Sequence, residues 1–281
     1  MKKAFLAFAL AVFKLNHLRL WARDVEVWGS RFTATSLDRL LNLYLYHFEV
    51  RGHDERRFME QQVRSGMQVV DVGANQGLHT LLMSRTLGAQ GRVYSFEPDP
   101  GLFGSLRRNC EKNGAANVEL HNVALGCQTG SMKLYRSQVN SGDNRLARSR
   151  HPAWFDEVDV TVAPLDSLLK GKRVDWIKID VQGWEYQVFL GMDGILQENP
   201  AVRIYFEYWP LGLENAGCRP LDCLHHLTAR GFKLYRVSGN RMIPVTDLDA
   251  LTRSLRGQRW TDLFAARGTV SPGLIEARSS K

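Results

Sequence analysis

At 281 residues with 44% hydrophobic side chains, the chain can bury the core of one large α/β domain plus an extension, which excludes global disorder. A formal charge of +8 permits an anionic partner, whether nucleic acid, a phosphorylated glycan or an acidic membrane, and selects none of them. The cysteines Cys110, Cys127, Cys218 and Cys223 form no C-x-x-C pair, so they read as reduced thiols rather than a zinc site or a disulfide framework.

The amino terminus opens with Lys2 and Lys3, an apolar run from Ala4 to Phe13, and Lys14. This run is far short of the ~20 residues that span a bilayer. It has the form of a secretory h-region, with Ala9-x-Ala11 as a cleavage signal. Two other readings stand beside that one. The segment is a helix packed on the domain or on a second copy in a homo-oligomer. Or residues 1–23 lie on a membrane, with Lys2, Lys3, Lys14, Arg19 and Arg23 near lipid headgroups. Residues 1–60 are expected to be a mostly helical extension, since Leu37, Leu40, Leu41, Tyr44 and Leu45 share one helical face.

The main domain is expected over 61–247. Strands are predicted at Gln68–Val72, Val93–Glu97, Val118–Val123, Trp176–Val181 and Arg203–Glu207. Helices alternate with them, over Gly77–Leu87, from Pro100 to Lys112, from Tyr186, and over Leu221–Ala229. Shorter strands are expected at Met132–Tyr135 and Val158–Val162, a helical turn at Leu165–Leu169, and an edge hairpin from Phe232–Val237 and Met242–Val245. Strands alternating with helices imply a doubly wound, mostly parallel sheet. The polar, basic tail over 248–281 is expected to be loosely held.

The most informative stretch is Asp71-Val-Gly73-Ala-Asn75-Gln-Gly77. It joins a strand to a helix through a loop whose glycines leave room for a ligand. Glu97 ends the next strand twenty residues after Gly77, the usual place for a carboxylate on a ribose diol. The loop lacks the middle glycine of a dinucleotide fingerprint and the Lys-Ser/Thr of a phosphate loop, so the expected adenosine ligand carries no pyrophosphate. A nicotinamide enzyme and an ordinary glycine turn are the other readings. The pattern D-x-G-x-x-x-G resembles the glycine loop of class I S-adenosylmethionine-dependent methyltransferases, with a Rossmann-like sheet.

Further segments extend that likeness. Phe96-Glu97-Pro98, Asn122-Val-Ala124-Leu-Gly126, Leu165-Asp166, Ile177-Lys178-Ile-Asp180-Val-Gln-Gly183-x-Glu185 and Phe206-Glu207 resemble, in order and spacing, the FkbM-type methyltransferase family. The resemblance covers roughly Gly66 to Val237, and Trp184 stands where many members have a small residue. It implies S-adenosylmethionine as cofactor and O-methylation of sugars, glycans, glycolipids or natural products. It also implies that Asp71, Gly73, Asn75 and Gly77 shape the methionine end of the site, that Glu97 takes the ribose, and that Asn122 to Ala124 border the adenine. Asp180 would sit beside the cofactor. Because that cofactor is made and kept in the cytosol, a cytoplasmic location is expected, either free or, through residues 1–23, peripheral at the inner face of the cell membrane.

Methyl transfer to a hydroxyl needs in-line geometry and a proton acceptor or a metal. Asp180 and Glu207 end neighbouring strands and are expected to converge on one proton or one divalent ion. Glu207 has the alternative of capping the next loop. Lys178 shares a face with Asp180; it orients that carboxylate or lowers an acceptor's pKa, or it is ion-paired with Asp166 or Glu185. Glu185 is either catalytic or a helix-start carboxylate favoured by the dipole. His79 either touches the cofactor or packs. The basic loop from Asn140 to His151, with Asn140 and Arg145, is a candidate acceptor loop, and Trp154, Trp184, Tyr208 and Trp209 are candidates to stack on a sugar. Two other functions compete: a nucleic-acid methyltransferase, against which stands the missing Asn/Asp-Pro-Pro-aromatic motif, and an assembly subunit that has lost catalysis.

Overall fold

A computed structural model describes residues 23–34, 50–137, 140–147, 155–239, 241–257 and 259–268. The chain enters as a hairpin, β1 (Arg23–Val27) and β2 (Ser30–Ala34). Trp28 and Gly29 both take positive φ (52° and 75°), the conformation a two-residue hairpin turn requires. The expected helical extension is therefore a hairpin over 23–34, followed by helix α1 (Val50–Gln62). The reading of 1–22 as a packed or interfacial helix, and that of Leu37–Leu45, lie outside the described residues.

The chain then runs β3 (Gln68–Val72), α2 (Leu78–Leu87), β4 (Arg92–Phe96), α3 (Pro100–Lys112) and β5 (Val118–His121). A small sheet follows from β6 (Ala124–Leu125), β7 (Gly130–Ser137) and β8 (Phe155–Ala163). Next come α4 (Leu165–Leu168), β9 (Trp176–Ile179), α5 (Glu185–Leu190), α6 (Asp193–Glu198) and β10 (Arg203–Tyr208). The remainder is α7 (Pro210–Asn215), α8 (Pro220–Thr228), β11 (Lys233–Ser238), β12 (Arg241–Pro244), α9 (Leu248–Ser254) and β13 (Thr261–Ala266).

The main sheet has the order β12-β11-β13-β10-β9-β3-β4-β5. Strands β10, β9, β3, β4 and β5 are parallel, and β13, β11 and β12 add an antiparallel edge. Both faces are covered, as a parallel sheet demands. Val70, Val72, Ile177, Ile179, Ile204 and Phe206 point to one core, under Phe189, Leu213 and Leu224. Val69, Val93, Trp176 and Tyr205 point to the other, under Phe58 and Met59 of α1 and Leu81 and Leu82 of α2. Helix α1 thus belongs to the domain's packing.

The tail from Leu248 is not loose over its described part. Strand β13 inserts between β10 and β11, and Leu263, Phe264, Ala265 and Ala266 are buried. Its apolar run is only four residues long, too short to stand out within a basic tail. Leu263→Ala should cost about 2–5 kcal/mol, the range for deleting a buried leucine side chain. Urea unfolding would read this; a loss within about 0.5 kcal/mol is what a peripheral tail would give.

Candidate functional site

The strand order reverses between β3 and β9, so their carboxyl ends open a crevice where such sheets bind ligands. The loop after β3 is pinned there. Gly73 N and Ala74 N both donate to Phe96 O at 3.0 Å, and Asp180 N donates to Val72 O at 3.1 Å. Gly73 has φ 77°, and a Cβ on it would lie 2.0 Å from Asp180 O. A Cβ on Gly77 would lie 2.7 Å from Leu106 Cδ1. The two glycines therefore admit protein first: the tip of β9 and helix α3. Gly73 still borders the cleft, whereas Gly77 works from behind it.

A buried charge network forms the floor. Asp71 and Lys178 are register partners on β3 and β9, and Asp71 also pairs with Ser95 of β4. Thr80 Oγ1 donates to Asp71 Oδ2 at 2.6 Å and lies 3.0 Å from Ser95 Oγ. Lys178, 1% exposed, places Nζ 3.3 Å from Asp71 Oδ1, 3.1 Å from Gly73 O and 4.0 Å from Asp180 Oδ2. Burial alone would push its pKa down, but Asp71, Asp180 and Glu55 outweigh that and hold it above the ordinary lysine value. The partners expected for Lys178 were Asp166 or Glu185; the partner found is Asp71. Asp166 instead accepts from Gly194 N (2.9 Å) and Ile195 N (2.8 Å) at the start of α6. Asp71 lies beneath the cleft, not on its wall.

Glu185 is fully buried and accepts from Val181 N and Gly183 N at 3.3 and 3.2 Å. Burial pushes its carboxyl up to about 7. It anchors the loop after β9 and does not border the cleft, which leaves it a structural part rather than the catalytic one also expected.

Glu97 does border the cleft. Asn75 N donates to its Oε2 at 2.8 Å and Asp99 N to its Oε1 at 2.9 Å. Burial pushes the carboxyl up to about 7 against those two donors. Asn75 itself holds φ 52° and donates from Nδ2 to Ser141 O at 3.1 Å, tying the glycine loop to the loop after β7. Asn122 donates from Nδ2 to Glu97 O (2.8 Å) and Pro98 O (3.0 Å), so it braces the turn without bordering the cleft. Val123, Ala124 and Leu125 do border it, with Phe96, Leu102, Leu134 and Leu146, an apolar slot that suits a purine face.

Asp180 also borders the cleft, whereas Glu207, on β10, does not. The side chain expected to share a proton or an ion with Asp180 is separated from it by Gln182. Gln182 Nε2 donates to Asp180 Oδ1 at 2.8 Å and to Glu207 Oε2 at 3.2 Å. An amide already fills the position a shared divalent ion would take. Among the described residues no group of three or more His, Cys, Asp or Glu could hold a metal. Gln182 sits at φ 53°, turned by Gly183, whose own Cβ would strike the backbone of Gly212.

The acceptor loop reaches the cleft through Ser141, Gly142, Asn144 and Leu146. The two residues singled out in it do other work. Asn140 accepts from Gly142 N at 3.0 Å, capping a short 3-10 turn. Arg145 pairs with Asp143 and lies over the Trp209 ring at 5.2 Å. Trp184 borders the cleft; Tyr208 is buried, its hydroxyl 2.8 Å from Thr252 Oγ1; Trp154 lies outside the described residues. Sequence reasoning missed Gln182, the Thr80–Ser95 pair and Glu55. Only Gln182 carried a signal, standing two residues after Asp180 just before a glycine.

The loops after β3, β4 and β9 and the loop after β7 line one open cleft at the carboxyl edge of the sheet. Residues 71–233 match the Methyltransferase FkbM domain. The chain belongs to the FkbM methyltransferase family. Its fold and cofactor class are those of an S-adenosylmethionine-dependent methyltransferase, as the glycine loop and Glu97 led one to expect. Methyltransferase 1 of Beauveria bassiana is 30% identical over 145 residues, 44% of this chain and 58% of that protein. Hexuronic acid methyltransferase AglP of Haloferax volcanii is 24% identical over 180 residues, 62% of this chain and 69% of that protein. Methyltransferase sdnD of Sordaria araneosa is 30% identical over 202 residues, 60% of this chain and 74% of that protein. This FkbM chain thus spans little more than half of the Beauveria relative.

The raised carboxyl of Glu97 should make cofactor binding depend on pH. A ribose diol donates best to an ionised carboxylate, and this one is raised to about 7. Binding should therefore be full above that value and weaken below it as the proton is taken up. Calorimetry with S-adenosylhomocysteine should show about tenfold weaker binding at pH 6 than at pH 8. Glu97→Gln should lose that dependence, along with about 1.5–3 kcal/mol of affinity at pH 8. An unchanged pH profile in the variant would place the ribose elsewhere.

Proposed function

We propose that the protein is an O-methyltransferase acting on a sugar hydroxyl, free or within a glycan or glycolipid. The observation that carries this is the setting of Asp180. It borders the cleft at the tip of β9, its side chain is 20% exposed, and Gln182 and Lys178 fix it from two sides. That is a proton acceptor held in one orientation beside open space. The relative AglP, named a hexuronic acid methyltransferase, supports a sugar as acceptor.

When bound, the cofactor supplies an electrophilic methyl group on a sulfonium. Asp180 would take the proton of the acceptor hydroxyl, whose oxygen would receive the methyl group that the cofactor supplies. Lys178 and Gln182 hold the carboxylate in place for that transfer. Glu207 acts through Gln182 as a positioning residue, and Trp184, with Ser141, Gly142 and Asn144, walls the acceptor side. The protein's working place follows its cofactor, in the cytoplasm. Among the described residues no helix is long and apolar enough to cross a membrane.

The test is methyl transfer from labelled cofactor to a panel of uronic acids, neutral sugars, glycolipids and RNA. Label should appear on a sugar hydroxyl, and Asp180→Asn should lower turnover by ~10²–10⁴-fold with little change in cofactor affinity. Label on RNA alone, or full turnover by the variant, would contradict this reading.

A further inference from the structure

The antiparallel border of the sheet, β13, β11 and β12, comes level with the ligand crevice. Strand β13 is antiparallel to both β10 and β11, so β11 runs the same way as β10. Its carboxyl end therefore shares the sheet edge at which Asp180 stands. Thr261 is opposite Tyr208, one step past Glu207, and Arg241 is opposite Ser238 at the end of β11. The Tyr208 and Thr252 hydroxyls lie 2.8 Å apart, which ties the second half of α9 to β10. At ~4.8 Å per strand, β13 lies about 10 Å from β9, and β12 about 19 Å.

This corner is basic and carries exposed apolar side chains. Arg236, Arg241, Arg253, Arg256 and Arg259 are all exposed, and among the described residues none of them takes part in an ion pair. By contrast, the exposed Arg92, Lys133 and Arg173 are paired with Glu119, Asp159 and Asp175. The acids of the segment stand apart from the arginines. Asp247, capping Ala250 N at 2.7 Å, and Asp249 open α9 at the opposite edge, and Asp262 is level with Glu207. Three large apolar side chains are exposed among the described residues, and two of them are here, Ile243 (43%) and Trp260 (38%). Ile243 is opposite Arg236 and two residues from Arg241, so these three share one sheet face. Leu263, opposite Arg236, packs in the same core as Leu251 of α9, so α9 flanks that face.

An indole and an aliphatic side chain set among arginines suit a surface that is anionic outside and apolar just beneath. A soluble polyanion would use the arginines and the indole but would leave Ile243 in water. We propose that this corner rests on a bilayer with anionic headgroups, with the arginines at lipid phosphates and Trp260 and Ile243 in the interface, so that the crevice takes its acceptor from the membrane. Arginine's planar fork grips phosphate with two parallel hydrogen bonds, which fits that role. The inference rests on the sugar-acceptor reading above and narrows it to a sugar carried on a lipid.

Co-sedimentation of the full chain tests this, with vesicles of phosphatidylcholine alone and with phosphatidylglycerol added. The wild type should pellet with the mixed vesicles and stay in solution with the neutral ones, and about 0.5 M salt should weaken the association. Arg256→Glu combined with Arg259→Glu should lower the partition coefficient at least about tenfold. Trp260→Ser should lower it as well. Both variants should keep the wild-type affinity for S-adenosylhomocysteine, which guards against a folding effect. The inference is overturned by variants that pellet as the wild type does, since the attachment then comes from elsewhere in the chain. It is equally overturned by a wild type that ignores both kinds of vesicle, or that binds heparin instead. Those outcomes leave the sugar-acceptor reading standing, because the labelled-acceptor panel decides that reading separately.

Discussion

A single buried ammonium joins the parts of this site. Lys178 lies at the switch point, where β3 and β9 part, and bonds to Asp71 on one strand and to the carbonyl of Gly73 in the loop. A lysine in a buried strand is tolerated only when its charge is met, and Asp71 meets it through strict register pairing. The arrangement then propagates. Asp71 is held in turn by Thr80 at the start of α2, and Thr80 by Ser95 of β4, so three strands and a helix share one polar seam. Gly73 must lack a Cβ for the loop to close onto the Asp180 carbonyl, and this closeness sets Asp180 beside the ligand cleft.

The electrostatics of the cleft follow from that seam. Lys178 brings positive charge to the base of the cleft, and Asp180 and Glu97 also border it. This polarity suits a cationic sulfonium ligand with a diol at one end and a proton-donating acceptor at the other. The apolar residues from Phe96 to Leu125 line the same cleft.

Much of this was legible in the sequence because it is local. Gly73, Asn75 and Glu97 lie within short motifs, and Val69–Val72 and Trp176–Ile179 are apolar runs that read as buried strands. What was illegible is what depends on contacts between distant segments. Lys178 had several acidic candidates at similar sequence distance, and only the strand register decides for Asp71. Glu207 was placed one strand from Asp180 correctly, but the glutamine between them depends on a left-handed turn at Gln182. Glu55 sat in a polar stretch with no apolar periodicity, so nothing marked it as buried against His79. Strand β13 was hidden because its neighbours β10 and β11 lie far from it in the chain.

On the proposed function, the crevice between β3 and β9 holds the cofactor, with its ribose at Glu97 and its sulfur at Asp180. A crystal structure with S-adenosylhomocysteine tests this most directly. Both ribose hydroxyls should lie within hydrogen-bond distance of Glu97, with the adenine between Phe96 and Leu125 and the sulfur on the side of Asp180. Density for the ligand anywhere else on the protein, or in this cleft with the ribose away from Glu97, would contradict it.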